Sequence, residues 1–284
     1  MISRLAIDLS GNTVRMLAGS VGGRMKAAEA KVPASVMSDG LVLNSASLAP
    51  IIKELAAEVD GKEGKAVIAA SDSLASFRII NVARDATDAK VESLVRAQLP
   101  LDGNRMGMQR VEIAANGPER TVYAVAFDRL KVQGLAAAVR LAGLEPSVVE
   151  LKSLCVARVA PVPSCVVLDV TVSPAEVFLV DGSLPRLWHT FKVDLSNGAE
   201  LGQQLAGGAR AVLSFYKRLP GGSDYPADAP VFISGEGSPS PLLVSAVQAT
   251  IGHPIQALPA PPRISPEIRY GPYMACLGLI MRRR

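Results

Sequence analysis

The chain has 284 residues, 49% of them hydrophobic, with 24 Gly and 20 Pro, a composition that supports one large core or two modest ones and excludes a disordered, collagenous or coiled-coil protein. With 30 Lys and Arg against 26 Asp and Glu, the net charge of +4 is too weak without clustering to point to a nucleic acid, and an aromatic content of 4% argues against a base-stacking surface. The most apolar stretches, Tyr273 to Met281 among them, fall short of the roughly 18–20 residues of a membrane span; Asp8 interrupts the place of a signal-peptide core, and Cys155, Cys165 and Cys276 lack metal-ligand spacing, which together fit a cytoplasmic chain with free core thiols.

Residues 4–9, 13–18 and 24–32 read as three short strands joined by Ser10-Gly11-Asn12 and Val21-Gly22-Gly23, a meander of hairpins. Leu48, Ile51, Ile52, Leu55 and Val59 then recur at helical spacing, with Pro50 in the first turn and Asp60-Gly61 at the end, before a strand over 65–70. From Leu74 the order is strand (74–82), helix (86–98), strand (108–115), strand (120–127), helix (128–142) and strand (146–150), the pattern of a small α+β module. Its first helix carries Val91, Leu94, Val95 and Leu99 and stops before Pro100; its second ends at Gly143, the usual place of a left-handed cap. The opening pattern then recurs as strands over 165–170, 175–180 and 184–193. Ile7-Asp8-Leu9 aligns with Leu168-Asp169-Val170, and a repeat of this length suggests two duplicated domains. A helix over 198–219, the strand Val231-Phe232-Ile233, the loop Ser234 to Ser238 and helices near 240–250 and 270–281 complete the chain. The expected organisation is a two-lobed α/β protein: first lobe 1–70, inserted module 71–150, second lobe 151–284.

Three turns could carry chemistry. Asp8-Leu9-Ser10-Gly11-Asn12-Thr13 is a hairpin whose N–H groups could hold phosphate oxygens beside an acid able to hold magnesium through water, although ordinary turn geometry asks for the same residues. Asp169-Val170-Thr171-Val172-Ser173-Pro174 has no glycine, and Pro174 offers no N–H. The turn of Gly235, Glu236 and Gly237 links a strand to a helix and lets backbone approach a ligand closely. His189 and His253 have no acid or serine pattern around them, Trp188 reads as packing at a strand end, and Arg282-Arg283-Arg284 reads as a solvated terminus.

Asp8, Asp169 and the Gly235 turn, each closing a strand in a duplicated frame, make the chain resemble the actin-like superfamily, within it the PilM family of type IV pilus assembly proteins, and more distantly FtsA. Further resembling segments are Ile7 to Leu17, Leu94 to Pro100, Gln109 to Ile113, Leu141 to Glu150, Ala209 to Tyr216, Val231 to Gly237 and Ala275 to Ile280. The resemblance implies an actin-like two-lobed fold with duplicated ribonuclease-H-like domains. It also implies a cleft for ATP and magnesium, with Asp8 and Asp169 towards the metal and Ser10, Gly11, Asn12, Thr13, Gly235, Glu236 and Gly237 around the nucleotide. Thr171 stands where the family has Gly, Ser10 replaces a first-loop Gly, and a closing subdomain between Leu205 and Ala209 shrinks to Ala206-Gly207-Gly208. With one wall missing, weak or absent ATP binding and negligible hydrolysis are expected. The implied role is a cytoplasmic scaffold at the inner face of the inner membrane, holding the N-terminal tail of a PilN-like inner-membrane protein between residues 1–70 and 71–150. The alternative is an active ATPase or small-molecule kinase of the same superfold, for which no general base stands out. An FtsA-like protein would end in an amphipathic membrane helix; the apolar run from Tyr273 reads instead as core.

Overall fold

The computed structural model describes residues 4–61, 64–101, 103–171, 174–194, 198–219, 224–235 and 241–282. Strands β1 (Arg4–Leu9), β2 (Thr13–Gly19) and β3 (Met25–Lys31) form the expected meander, followed by the short pair β4 (Met37–Ser38) and β5 (Leu41–Val42), helix α1 (Ser45–Glu58) and strand β6 (Lys65–Ala70). Helix α1 starts ahead of its first periodic apolar residue because Asn44 caps it, accepting the Ser47 N–H at 3.0 Å. Pro50 therefore falls in the second turn and not the first.

The module follows: β7 (Ala75–Ala83), α2 (Asp88–Gln98), β8 (Met106–Asn116) and β9 (Glu119–Asp128), then α3 (Arg129–Leu141) and β10 (Glu145–Leu151). Its antiparallel sheet runs β7-β9-β8. Period-two alternation gives that sheet two apolar faces: Val122, Ala124 and Ala126 of β9 pack under α2 with Val91 and Val95, while Tyr123 packs on the other side with Phe77 and Leu151. The module's own sheet ends at Asp128, not near residue 150. Leu135, Ala138 and Val139 of α3 share a core with Leu48, Ile52 and Leu55 of α1, and β10 pairs in parallel with β6, Val149 opposite Ile68. Both elements thus complete the first lobe. Asp128 closes the module and caps α3, its Oδ1 accepting the Leu130 and Lys131 N–H groups at 3.0 and 3.3 Å while Arg105 pairs with Oδ2 at 2.6 Å. Asp128→Ala should cost about 1–2 kcal/mol in urea denaturation; an unchanged midpoint would show that the cap contributes nothing.

After helix α4 (Lys152–Val159) come β11 (Cys165–Asp169), β12 (Ala175–Asp181), β13 (Leu184–Phe191), α5 (Gly198–Lys217), β14 (Val231–Ser234), α6 (Pro241–Ile251) and β15 (Ile255–Ala257), which build the second lobe, and finally helix α7 (Met274–Ile280). The first sheet is ordered β10-β6-β1-β2-β3 and the second β15-β14-β11-β12-β13. Each is a meander extended by two parallel strands, with Ile7 opposite Ile68 in one and Leu168 opposite Ile233 in the other. Helix α5 runs unbroken across 205–209, so no subdomain intervenes there. Two of its glycines serve packing: a Cβ on Gly208 would lie 2.5 Å from the Phe191 ring, and one on Gly202 would lie 2.6 Å from the Ala246 Cβ.

Helices α4 and α7 fill the space between the sheets. Ala6, Leu17 and Val67 from one sheet and Val167, Phe178 and Phe232 from the other enter a single core with them. Every residue of α7 is buried, as its apolar run requires. Arg4 reaches across to cap it, donating to the Leu279 and Ile280 carbonyls at 3.2 Å each. Cys155, Cys165 and Cys276 are free and buried in this layer. Trp188 lies within β13, not at its end, and packs where the layer meets the module. No helix among the described residues is long and apolar enough to cross a membrane.

Candidate functional site

Asp8 is in phase with Ala6 and Asp169 with Val167, so both carboxylates leave their strands on the inner faces, towards the layer between the lobes. Each folds back on its own turn in the same way. Asp8 Oδ1 accepts the Ser10 N–H at 2.9 Å and the Ser10 hydroxyl at 2.5 Å; Asp169 Oδ1 accepts the Thr171 N–H at 3.0 Å and the Thr171 hydroxyl. The cross-strand neighbour differs: Arg15 stands opposite Asp8, whereas Glu176 stands opposite Asp169.

Lys152, the first residue of α4, answers that second acid. Its Nζ lies 2.8 Å from Asp169 Oδ2, bonds to Glu176 Oε2 and is 5.8 Å from the centre of the Phe178 ring. All three charged side chains are less than a tenth exposed. Burial works against the Lys152 ammonium, but Asp169, Glu176 and Asp8 together outweigh it and raise its pKa. Burial likewise works against ionised Asp169, yet Lys152 and the Thr171 bonds bring its pKa below the ordinary value; for Glu176 burial wins and its pKa rises. Asp72, just past β6, accepts the Ser153 N–H at 2.9 Å and the Ser153 hydroxyl, capping α4 in place of Leu151, which has no side-chain acceptor. Complete burial drives its carboxyl up to about 7, with Glu176 adding to the rise and the Ser153 bonds opposing it.

The structure thus gathers Asp8, Ser10, Asp169 and Lys152, all buried, where the two sheets face each other, and Gly235 follows Ser234, which registers with Asp169. Around them the chain fills its own loops. Asn12 Oδ1 accepts the Asp39 N–H at 2.7 Å, and a Cβ on Gly40 (φ +77°) would lie 2.8 Å from the Ser10 carbonyl oxygen. Thr13 begins β2 opposite Lys31, and Gly11 is open, with nothing within 4 Å of a Cβ. Gly235 is close-packed: its Cβ would lie 2.9 Å from Val170 Cγ2, and one on Gly271 would lie 2.2 Å from the Gly235 carbonyl oxygen. Glu236 and Gly237 lie outside the described residues. These residues fit a magnesium–ATP complex poorly, because a hydrated divalent ion needs room for several waters and an ammonium already bonds both Asp169 and Glu176. Sequence reasoning passed over Lys152, Glu176 and Asp72. The available signal was Glu176, an acid in the inward phase of β12 with Phe178 and Val180.

A second feature is a groove of about 500 Å³ between the free face of the module sheet and β10, floored by Leu74, Tyr123, Val125, Phe127, Val149 and Leu154. Arg110, Glu150 and Arg282 are its charged lining, with Glu150 held by Arg282 at 2.8 Å and Arg158 at 3.0 Å. Tyr123 stacks on Phe77 at 5.5 Å, and its buried hydroxyl has no hydrogen-bond partner among the described residues. Val111 of β8 lines the groove while 55% exposed. β10 is the last strand of its sheet, so among the described residues its outer edge has no strand partner.

No protein-family model matches the chain, and no curated protein matches it in sequence. Among solved structures, a PilM–PilN type IV pilus biogenesis complex is similar with a TM-score of 0.73 and 20% identity over 99% of this chain and 98% of that chain. The cytoplasmic domain of EpsL, an inner membrane component of the type II secretion system of Vibrio cholerae, is similar with a TM-score of 0.52 and 11% identity over 88% of this chain and 94% of that one. A Bacteroides thetaiotaomicron protein with an actin-like ATPase fold and unknown function gives 0.52 and 12% over 99% and 96%. The chain has the actin-like fold.

Proposed function

We propose, from this fold and the groove beside the module, that the chain is a PilM-like scaffold of a type IV pilus or related secretion machine. It holds the N-terminal cytoplasmic tail of a PilN-like inner-membrane protein and so works in the cytoplasm, at the inner face of that membrane, through its partner. The observation that carries this reading is the groove itself, where an open strand edge runs beside an apolar floor and a phenol hydroxyl without a partner. An extended peptide could add main-chain bonds to β10 and place alternate side chains on the floor. The fold likeness to a PilM–PilN complex and to the cytoplasmic domain of EpsL supports the same role. ATP and magnesium are not assigned to the cleft, and ATP turnover there should be negligible. Its carboxylates are neutralised from within, and no wall stands at 205–209.

The test is calorimetry with a synthetic tail from a PilN-like protein encoded beside this gene. Binding in the micromolar range, about −8 kcal/mol, is expected. Val111→Asp places a charge on an exposed groove residue, so it should weaken binding at least about tenfold, roughly 1.4 kcal/mol, with the melting temperature unchanged. Equal binding by variant and wild type would refute the groove.

A further inference from the structure

Asp169 and Glu176 stand directly opposite each other on adjacent strands, and both are buried. Two carboxylates so placed repel, and without water to screen them they stay ionised together only beside a cation. The chain supplies one covalently. Lys152 Nζ bonds both acids, and Asp8 of the other lobe adds to the field that it feels. Its position is otherwise unfavourable, because the first turn of a helix repels positive charge. The backbone that presents it is fixed as well, since Asp72 grips the next residue, Ser153, through both its N–H and its hydroxyl. Among the described residues no three His, Cys, Asp or Glu side chains converge as a metal site.

We propose that the Lys152 ammonium is the resident cation of this cleft, excluding a divalent metal from the Asp169–Glu176 pair and keeping the two lobes together without metal or nucleotide. Lys152 issues from the helix between the sheets, so its bonds to β11 and β12 fasten that helix to the second lobe while Asp72 fastens it to the first. Closure is then a permanent property of the fold and not a response to a ligand. Tail binding is read on groove variants, so the groove and this cation can fail separately.

The test uses the full chain with Mn²⁺ or Mg²⁺, each with and without ATP. Wild type should show no saturable Mn²⁺ binding and the same melting temperature in EDTA as in millimolar Mg²⁺. Lys152→Met keeps the apolar stem but unpairs the acids. It should melt roughly 5 °C or more lower in EDTA, recover with Mn²⁺, and lose that recovery when Asp169→Asn is added. If Lys152→Met does not fold in EDTA, refolding yield with and without Mn²⁺ replaces the melting temperature. Saturable Mn²⁺ binding by wild type that Asp169→Asn abolishes overturns the proposal, as does a Lys152→Met chain indifferent to metal in both readouts.

Discussion

Gly278→Val should destabilise the chain by about 3 kcal/mol or more and leave little folded protein at moderate urea. A Cβ at this position of α7 would lie 2.3 Å from the Cys155 carbonyl oxygen and 2.6 Å from the Cys155 Cα. These are backbone atoms of α4, which no rotamer change can move aside. Any side chain must push α4 and α7 apart, and both helices pack against the two sheets, so the strain reaches every side of the shared core. The control is Gly207→Ala on α5, where a Cβ meets nothing within 4 Å. That change should be neutral or stabilising by up to about 1 kcal/mol, because alanine is the better helix former. Matching urea midpoints for Gly278→Val and wild type would show that the helices do not cross this closely.

Asp72→Asn should remove most of a pH dependence that the wild-type chain carries. The Asp72 carboxyl rises from 3.8 to about 7 on folding, chiefly through burial, so the folded chain holds its proton more tightly than the unfolded one. Stability from this group is fully present below pH 3.8 and is lost as the pH rises towards about 7. Between about pH 5 and pH 8 the loss amounts to roughly 3 kcal/mol. Asparagine keeps an acceptor for Ser153 and does not titrate. The variant should therefore gain on wild type by about that amount over the same interval, while Asp72→Ala, which also loses the cap, should be less stable than Asp72→Asn throughout. Urea denaturation at the two pH values decides it: a difference between Asn variant and wild type that does not grow with pH would mean that Asp72 is ionised in the folded chain.

The two strand triplets were legible because turn residues delimit their short apolar runs, and the alignment of Asp8 with Asp169 exposed the duplication; β15, three residues long, was too short to read. The segments that were not legible share a physical cause. Helix α4 is buried on nearly every side, so it has no polar face and no amphipathic stripe to reveal it. A strand–helix–strand pattern also says nothing about which sheet a strand joins, and β10, read as module, finds its partner in β6. The cleft was half visible. Its aspartates stood at strand ends, but Lys152, Glu176 and Asp72 acquire meaning only when α4 lies between the lobes, and only the inward phase of Glu176 hinted at them. The groove had no motif because its floor is ordinary apolar residues, buried such as Leu74 and Tyr123 or half-buried such as Val125 and Phe127, drawn from separate elements.

The three buried thiols turn the central layer into a clock. A cysteine reacts as its thiolate, and burial pushes the Cys165 thiol up to about 12 and those of Cys155 and Cys276 well above their ordinary value. In the closed chain none is a target for an alkylating reagent, so modification waits for an opening event. When reclosing is fast, the labelling rate measures the equilibrium population of the open form and not the reagent's chemistry. Cys276 is the most informative of the three, because its Sγ contacts the Ala6 and Arg15 carbonyl oxygens at 3.8 and 3.4 Å, across the seam between α7 and the first sheet. Its alkylation, compared with that of Cys165 within the second sheet, separates partial parting of that seam from global unfolding.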